Sequence, residues 1–413
     1  MAAPAPGSQR EIRTRNLSRV LYAVAERDSS SSRASVAASL GLTRAAVSTL
    51  VDELLRAGLL TERGPALPGG GPGRPGTVLE PSDRGPCGLG AEIGVDHLAV
   101  CAVDLGGRVR ARTRVEYEGR GSEPAVVLDR LGALVDTVAD EVRGAGLRPA
   151  GLTVAVPGLV SRGTSRVVRA PNLGWHDTDI ATPLARHAAP PQPASGTAAS
   201  PFAVTVDNEA NLAALAEVWL DGGRMPGDFV HVSAEVGIGG AVVFDGEPLR
   251  GTRGFAGELG HVPVRPEGPV CACGGRGCLE QYAGEKAVLR AAGIGTEGPR
   301  EGALTLLAAR AEAGDRGALR ALDGAGEALG VALAGAVNLL DPGAVVLGGV
   351  LARFARWLLP TLENELRSRV AAPGTLPKLL VSELGAEGPL MGAAHCAVRA
   401  VLDDPLAHAQ PRA

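Results

Sequence analysis

Apolar positions in the first eighty residues recur at helical spacing and then change to strand spacing. Ile12, Leu17, Val20, Leu21 and Val24 repeat every three or four residues, which predicts an amphipathic helix over 11–25. After a serine-rich break at 29–32, Val36, Ala37 and Leu40 predict a short helix ended by Gly41. Thr43 suits the N-cap of a third helix over 44–57, with Val47, Leu50, Val51, Leu54 and Leu55 as its buried stripe. Thr43, Arg44, Ala45, Ser48 and Asp52 then face outward from its start. A helix, a glycine-containing turn and a second helix form the helix-turn-helix layout, whose second helix enters the major groove. Strand-like runs at 59–63 and 77–80 flank a Pro/Gly-rich tip at 64–76. The head over residues 1–82 is therefore expected to be a winged helix-turn-helix, with Arg74 in the wing placed to reach a phosphate or the minor groove. Residues 1–9 carry no such pattern and read as disordered.

Past a linker expected at 83–87, the pattern becomes α/β. Strand-like runs at 88–95, 97–105 and 108–117 precede a helix at 123–143 and a strand at 151–156 ending in Pro157-Gly158. Three strands, a helix and a strand resemble the start of a ribonuclease-H-like lobe, the unit duplicated in actin-like ATPases and sugar kinases. The first lobe is expected over 88–206, with a last helix at 388–402 returning to it. Segment 188–201 is low in complexity and reads as a surface insertion. The second lobe is expected over 207–387. Its strands are predicted at 229–233, 241–244, 344–347 and 379–383, and its helices near 279–292, 302–313, 316–340 and up to about 371. Strands alternating with helices of this length imply α/β lobes with ligand sites at strand ends.

Charge sharpens the division. Residues 1–85 carry eleven Arg against eight acids, whereas the remainder carries thirty basic residues against thirty-seven acids. A mildly basic head on an acidic body suggests a polyanionic partner for the head. No run of apolar residues is long enough to span a bilayer, and the N-terminus lacks the charged start and apolar core of a secretory signal. Cys87, Cys101 and Cys396 stand alone and read as reduced core thiols, so a cytoplasmic protein is expected.

The densest chemistry lies in 257–280. His261, Cys271, Cys273 and Cys278 fall within eighteen residues, the donor set that tetrahedral Zn²⁺ takes. A Cys₃His site is closed and leaves no position for an activated water, so such a zinc is structural. Glu258 and Glu280 flank it, and a loop stiffened by a metal can hold two carboxylates around a polar ligand.

Taken with Val154-Ala155-Val156-Pro157-Gly158, Pro171-Asn172-Leu173-Gly174-Trp175, Asn208-Glu209-Ala210-Asn211 and Gly257-Glu258-Leu259-Gly260-His261, this loop resembles the ROK family of repressors, open reading frames and kinases. Asn338-Leu339-Leu340-Asp341-Pro342 before Gly348-Gly349 adds to the likeness, and the head resembles that of the xylose-repressor branch. The resemblance implies a sugar pocket built from Asn208, Glu209, Glu258, His261 and Glu280, with Gly158 beside it. It also implies a homodimer or a dimer of dimers. Two departures bear on catalysis. The slot of the kinases' general-base Asp holds Glu209. The phosphate loop expected as Asp-x-Gly-Gly-Thr reads Glu92-Ile93-Gly94-Val95-Asp96-His97, where Asp96 would repel a triphosphate, and Glu235-Val236 precede Gly237 in the opposing loop. The expected protein is a sugar-responsive repressor acting on operator DNA, without kinase activity. An active or bifunctional sugar kinase is the alternative.

Overall fold

The computed structural model describes residues 8–25, 31–65, 77–188, 202–220, 222–296, 298–372, 374 and 376–409. In the head, α1 (Gln9–Ala25), α2 (Arg33–Leu40) and α3 (Arg44–Arg56) close around Leu17, Val20, Leu21, Val36, Val47, Leu50, Val51 and Leu54. Ser32 and Thr43 cap α2 and α3 by accepting from the N–H groups of Ser35 and Ala46. Gly41 ends α2 in the left-handed region, at φ 65°. Leu55, expected in the buried stripe, is only half-buried. Strands β1 (Leu60–Pro65) and β2 (Thr77–Pro81) pair antiparallel as the base of the wing. Its tip, including Arg74, lies outside the described residues, as do most of the segment expected as an insertion at 188–201 and the first seven residues.

Strands β3 (Pro86–Ile93), β4 (His97–Asp104) and β5 (Val109–Glu116) form an antiparallel meander. Pro86 and Cys87, expected in the linker, are the first residues of β3, because both pair with the neighbouring strand. Helix α4 (Pro124–Gly144) then leads to β6 (Arg148–Val156), which runs parallel to β3. A small sheet of β7 (Leu159–Val160), β8 (Arg166–Ala170) and β9 (Trp175–Asp179) follows, then a short α5 (Ala181–Leu184). Strand β10 (Ala203–Asn208) pairs parallel with β6, so Asp207 and Asn208 end the first sheet. Its order is β10-β6-β3-β4-β5.

After α6 (Glu209–Leu220), the same plan repeats. Strands β11 (Phe229–Ala234), β12 (Ile238–Phe244) and β13 (Glu247–Pro248) form a second meander. The loop that carries His261, Cys271, Cys273 and Cys278, α7 (Glu280–Ala283), α8 (Glu285–Ala291), α9 (Arg300–Glu312) and the long α10 (Arg316–Leu340) lead to β14 (Ala344–Gly348). Then come α11 (Gly349–Arg353), α12 (Ala355–Arg369), β15 (Lys378–Val381) and α13 (Gly388–Asp403). The order β13-β12-β11-β14-β15 and its strand directions match those of the first sheet. This duplicated ribonuclease-H-like architecture is the one the pattern predicts. Two predicted helices are broken: Gly284 is extended between α7 and α8, and Phe354 separates α11 from α12.

Helix α13 packs on β3, β6 and α6, and so returns to the first sheet. A Cβ on Gly88 or Gly90 of β3 would lie 2.5 Å from the α13 backbone at Ala394, so only glycine permits that approach. Leu390, Ala394, Val398 and Val401 of α13 and Ala99, Cys101 and Val103 of β4 share one core with α1 and α3. The head is thus seated on the body through apolar packing. Cys87, Cys101 and Cys396 are free thiols, and burial pushes each up to about 12. Among the described residues no single helix is long and apolar enough to cross a membrane.

Candidate sugar cleft, metal loop and DNA-facing helix

The six residues singled out for a sugar, Gly158, Asn208, Glu209, Glu258, His261 and Glu280, line one cleft. They come from the ends of β6 and β10, the start of α6, the metal-type loop and the start of α7. Asn208 already has two duties. Its Nδ2 donates to the Gly158 carbonyl at 2.8 Å, and its Oδ1 accepts from the N–H of Ala210 at 2.7 Å, capping α6. One amide hydrogen therefore remains for a ligand. Asn211 is buried, and its Nδ2 donates to Asp207 at 3.1 Å, which fixes the turn from β10 into α6. Glu280 Oε2 accepts from the Ile238 N–H at 3.2 Å, holding the start of β12. Asn172 also lines the cleft, and Arg169 of β8 donates to the carbonyls of Ala272 and Cys273, tying the small sheet to the metal-type loop.

Glu209 is the first residue of α6. Burial, with Glu92 and Glu235 nearby, outweighs the pull of His97 and Arg300 and pushes its carboxyl up to about 8. At neutral pH it is mostly the neutral acid, which donates a hydrogen bond and is a poor proton acceptor.

In the loop after β13, the ligand atoms of His261, Cys271, Cys273 and Cys278 all lie within 4.8 Å of one another. Cys273 Sγ is 3.7 Å from Cys278 Sγ, and Cys271 Sγ is 3.8 Å from His261 Nδ1. A tetrahedral centre with bonds of about 2.3 Å to sulfur requires ligand–ligand edges of about 3.8 Å, so the donors fit such a metal ion. Short bridges between Pro263 and Cys278 and between Val270 and Arg276 shape the loop. A Cβ on Gly277, which sits at φ 65°, would collide with the Arg265 carbonyl oxygen. His261 Nε2 lies 3.9 Å from Glu258 Oε2, so the ring places one nitrogen among the thiols and the other beside a cleft carboxylate.

Behind the cleft, the loops that resemble phosphate loops are filled by an ion cluster. His97 Nδ1 is 2.7 Å from Asp96 Oδ1, and its Nε2 is 3.3 Å from Glu92 Oε1. Burial opposes a charge on His97, but the two carboxylates prevail and lift it to about 9. The hydrogen bond to His97 holds Asp96 down at about 2. Arg300, on α9, meets Glu285 at 2.7 Å, Glu235 at 2.8 Å and Asp96 at 3.5 Å. Asp96 is therefore paired with an internal cation, where the sequence suggests a bare repelling charge. Nothing near Arg300 in the sequence marks it, because its partners lie on three separate loops and helices.

On the head, Thr43, Arg44 and Ala45 are exposed at the start of α3, while Ser48 is half-buried. Thr49 shares the exposed face, a position the sequence reading omitted. Arg33 braces α3 from behind, pairing with Asp52 at 2.7 Å and with Glu62 of β1 at 2.9 Å.

The chain is 28% identical over 373 residues to the xylose repressor of Bacillus spizizenii, covering 90% of this chain and 92% of that protein. It is 28% identical to a glucokinase of Streptomyces coelicolor over 71% of this chain and 96% of the kinase. The crystal structure of a ROK family transcriptional regulator, a homologue of the E. coli MLC protein, superimposes with a TM-score of 0.75 at 26% identity. That match covers 96% of this chain and 98% of the other, head included. The ROK family profile matches residues 88–400, the two lobes together with α13, and the chain is a member of the ROK family.

Proposed function

We propose that this protein is a sugar-responsive, DNA-binding repressor of carbohydrate uptake or metabolism genes, acting in the cytoplasm as a homodimer or dimer of dimers. The observation that carries the reading is the coexistence of two parts in one chain. A winged head shares its core with α13, and a cleft lined by six sugar-type residues lies between the repeated sheets. Relatives matched over nearly their whole length, head included, are repressors or regulators.

In this reading the start of α3 enters the major groove, with Thr43, Arg44, Ala45 and Ser48 toward the bases and phosphates and Arg74 reaching from the wing. A monosaccharide or sugar derivative occupies the cleft. Neutral Glu209, the free amide hydrogen of Asn208 and His261 Nε2 meet its hydroxyls, with Glu258 and Glu280 as acceptors and Gly158 giving the close approach. Zinc, held by His261, Cys271, Cys273 and Cys278, supplies rigidity to the loop that carries Glu258 and His261. Closure of the lobes around the sugar changes the placement of the heads in the dimer, so each ligand biases the binding of the other.

Phosphoryl transfer is not part of this function. Glu209 keeps its proton at neutral pH, and Arg300 with its carboxylates stands between the loops where a polyphosphate needs open backbone N–H groups. The test is fluorescence anisotropy of the full chain on its own upstream promoter DNA at fixed, near-physiological salt, with D-xylose, D-glucose and N-acetyl-D-glucosamine added in turn. Specific binding shifted by one sugar is expected. Absence of specific binding, or ATP-dependent phosphorylation of any of these sugars, overturns the reading.

A further inference from the structure

Helix α13 touches both the helix that begins at the cleft and the helix that carries the head. Its first half crosses α6 with the backbones in contact: a Cβ on Gly392 would collide with the Leu212 carbonyl, and one on Gly388 would meet the Ala213 Cβ at 3.2 Å. Its second half supports α1, where Tyr22 Oη donates to Asp403 Oδ1 at 2.8 Å and Leu17, Val20 and Leu21 share a core with Val398 and Val401. Between these two contacts stands Arg399. Its guanidinium carbon is 4.8 Å from the centre of the Trp219 ring, near the end of α6, and 5.4 Å from that of Tyr22 on α1. All three side chains are half-buried, which strengthens a cation over an aromatic face.

Helix α6 is the rod between them. It starts at Glu209 under the Asn208 cap and runs twelve residues, about 18 Å, to Leu220. A ligand bound at Asn208 and Glu209 therefore acts on one end of a single rigid element, and Arg399 grips the other end.

We propose that Arg399, held between Trp219 and Tyr22, couples occupancy of the sugar cleft to the placement of the DNA-binding head. The inference rests on the regulator reading above and names the contact that carries its regulation. Arg399 is a positioning residue: it touches neither sugar nor DNA. A displacement of α6 moves Trp219, and through Arg399 it reaches Tyr22 and the axis of α1. Reciprocity then follows, since DNA must change sugar affinity by the same factor as sugar changes DNA affinity.

The test uses the full-length protein and its Arg399→Gln, Trp219→Leu and Trp219→Phe variants. Promoter-DNA affinity is measured with and without D-xylose, D-glucose or N-acetyl-D-glucosamine, and the affinity of whichever sugar acts on the wild type is measured with and without DNA. Arg399→Gln and Trp219→Leu are expected to bind each ligand alone within about twofold of wild type. The mutual effect of the two ligands should fall by about three- to tenfold, equally in both directions. Trp219→Phe retains an aromatic face and is expected to keep the wild-type coupling. It also decides the case if Arg399→Gln fails to fold: coupling kept in Phe and lost in Leu supports the clamp, and coupling equal in both overturns it. Full coupling in Arg399→Gln overturns the clamp and leaves the regulator intact. No sugar effect on DNA binding in the wild type removes both.

Discussion

Replacing Glu209 with Gln tests the electrostatics of the cleft directly. The carboxyl is pushed from 4.5 to about 8, first by burial and then by Glu92 and Glu235, against the opposing pull of His97 and Arg300. In the unfolded chain the proton leaves near 4.5, whereas in the folded chain it stays until about 8. Between those values the native state binds more protons than the unfolded state, so the Glu209 contribution to stability declines as pH rises. It is fully present below about 4.5 and is lost through about 8. At 1.36 kcal/mol per factor of ten, the loss between pH 5 and pH 9 is about 4 kcal/mol. Gln has nearly the same shape and no proton to lose, so Glu209→Gln should be spared this decline. Denaturant unfolding of both proteins at pH 5, 6, 7, 8 and 9, converted to free energies with a common slope, gives the difference curve. The variant should gain on the wild type by about 4 kcal/mol across the range, most of it between pH 5 and pH 8. Two curves that run parallel within about 1 kcal/mol would refute the buried neutral acid, and with it one ground for excluding catalysis by Glu209.

The other expectations address separate parts of the molecule. Cys273→Ser removes one of four donors, so metal content measured by elemental analysis should fall well below stoichiometric, with a lowered melting temperature; undiminished metal and stability would sink the metal site. Arg44→Ala should weaken promoter binding by about tenfold while leaving sugar binding unchanged, and normal DNA affinity would discount α3 as the recognition helix. Glu258→Ala should weaken sugar binding by about tenfold through loss of a hydrogen-bond partner in the cleft, as read by calorimetry, while DNA affinity without sugar stays at the wild-type value. An unchanged sugar response would empty the cleft of its proposed role.

What the sequence disclosed follows from how local each signal is. The head was legible because Val47, Leu50, Val51 and Leu54 repeat at helical period and Thr43 caps its own helix three residues on. The metal-type cluster was legible because all four donors lie between His261 and Cys278, so chain connectivity alone keeps them close. The cleft was legible only through motifs, since its walls come from β6, β10, α6 and the loop before α7. The small sheet of β7, β8 and β9 went unread: its strands are short, and polar residues such as Arg166, Arg169, His176 and Asp177 mask the alternation. Arg300 and Arg399 gave no signal at all. Their partners stand 15 to 377 positions away, on elements that meet only once both sheets and α13 have packed.

The ion cluster at Arg300 bears on why a fold shared with kinases can serve a switch driven by one ligand. The carboxyl groups of Glu92, Asp96, Glu235 and Glu285 stand around His97 and Arg300 where a polyphosphate needs open backbone N–H groups, and such a lining disfavours a polyphosphate. The same cluster ties the two sheets, because Asp96 belongs to the β3–β4 turn whereas Arg300 belongs to α9 beyond the second meander. The Asp96 side chain is 41% exposed at this contact, so the pair is worth about 1 kcal/mol or less and is a modest constraint on how far the lobes separate. Carrying an equilibrium from 1:99 to 99:1 takes about 10⁴-fold tighter binding to one state, more than a monosaccharide held by a few hydrogen bonds readily supplies. An internal cation that already holds the rear of the cleft reduces the change left for the sugar to drive. On the proposed function, Arg300 already links the loops behind the cleft, and the sugar is left as the ligand that decides the position of the head.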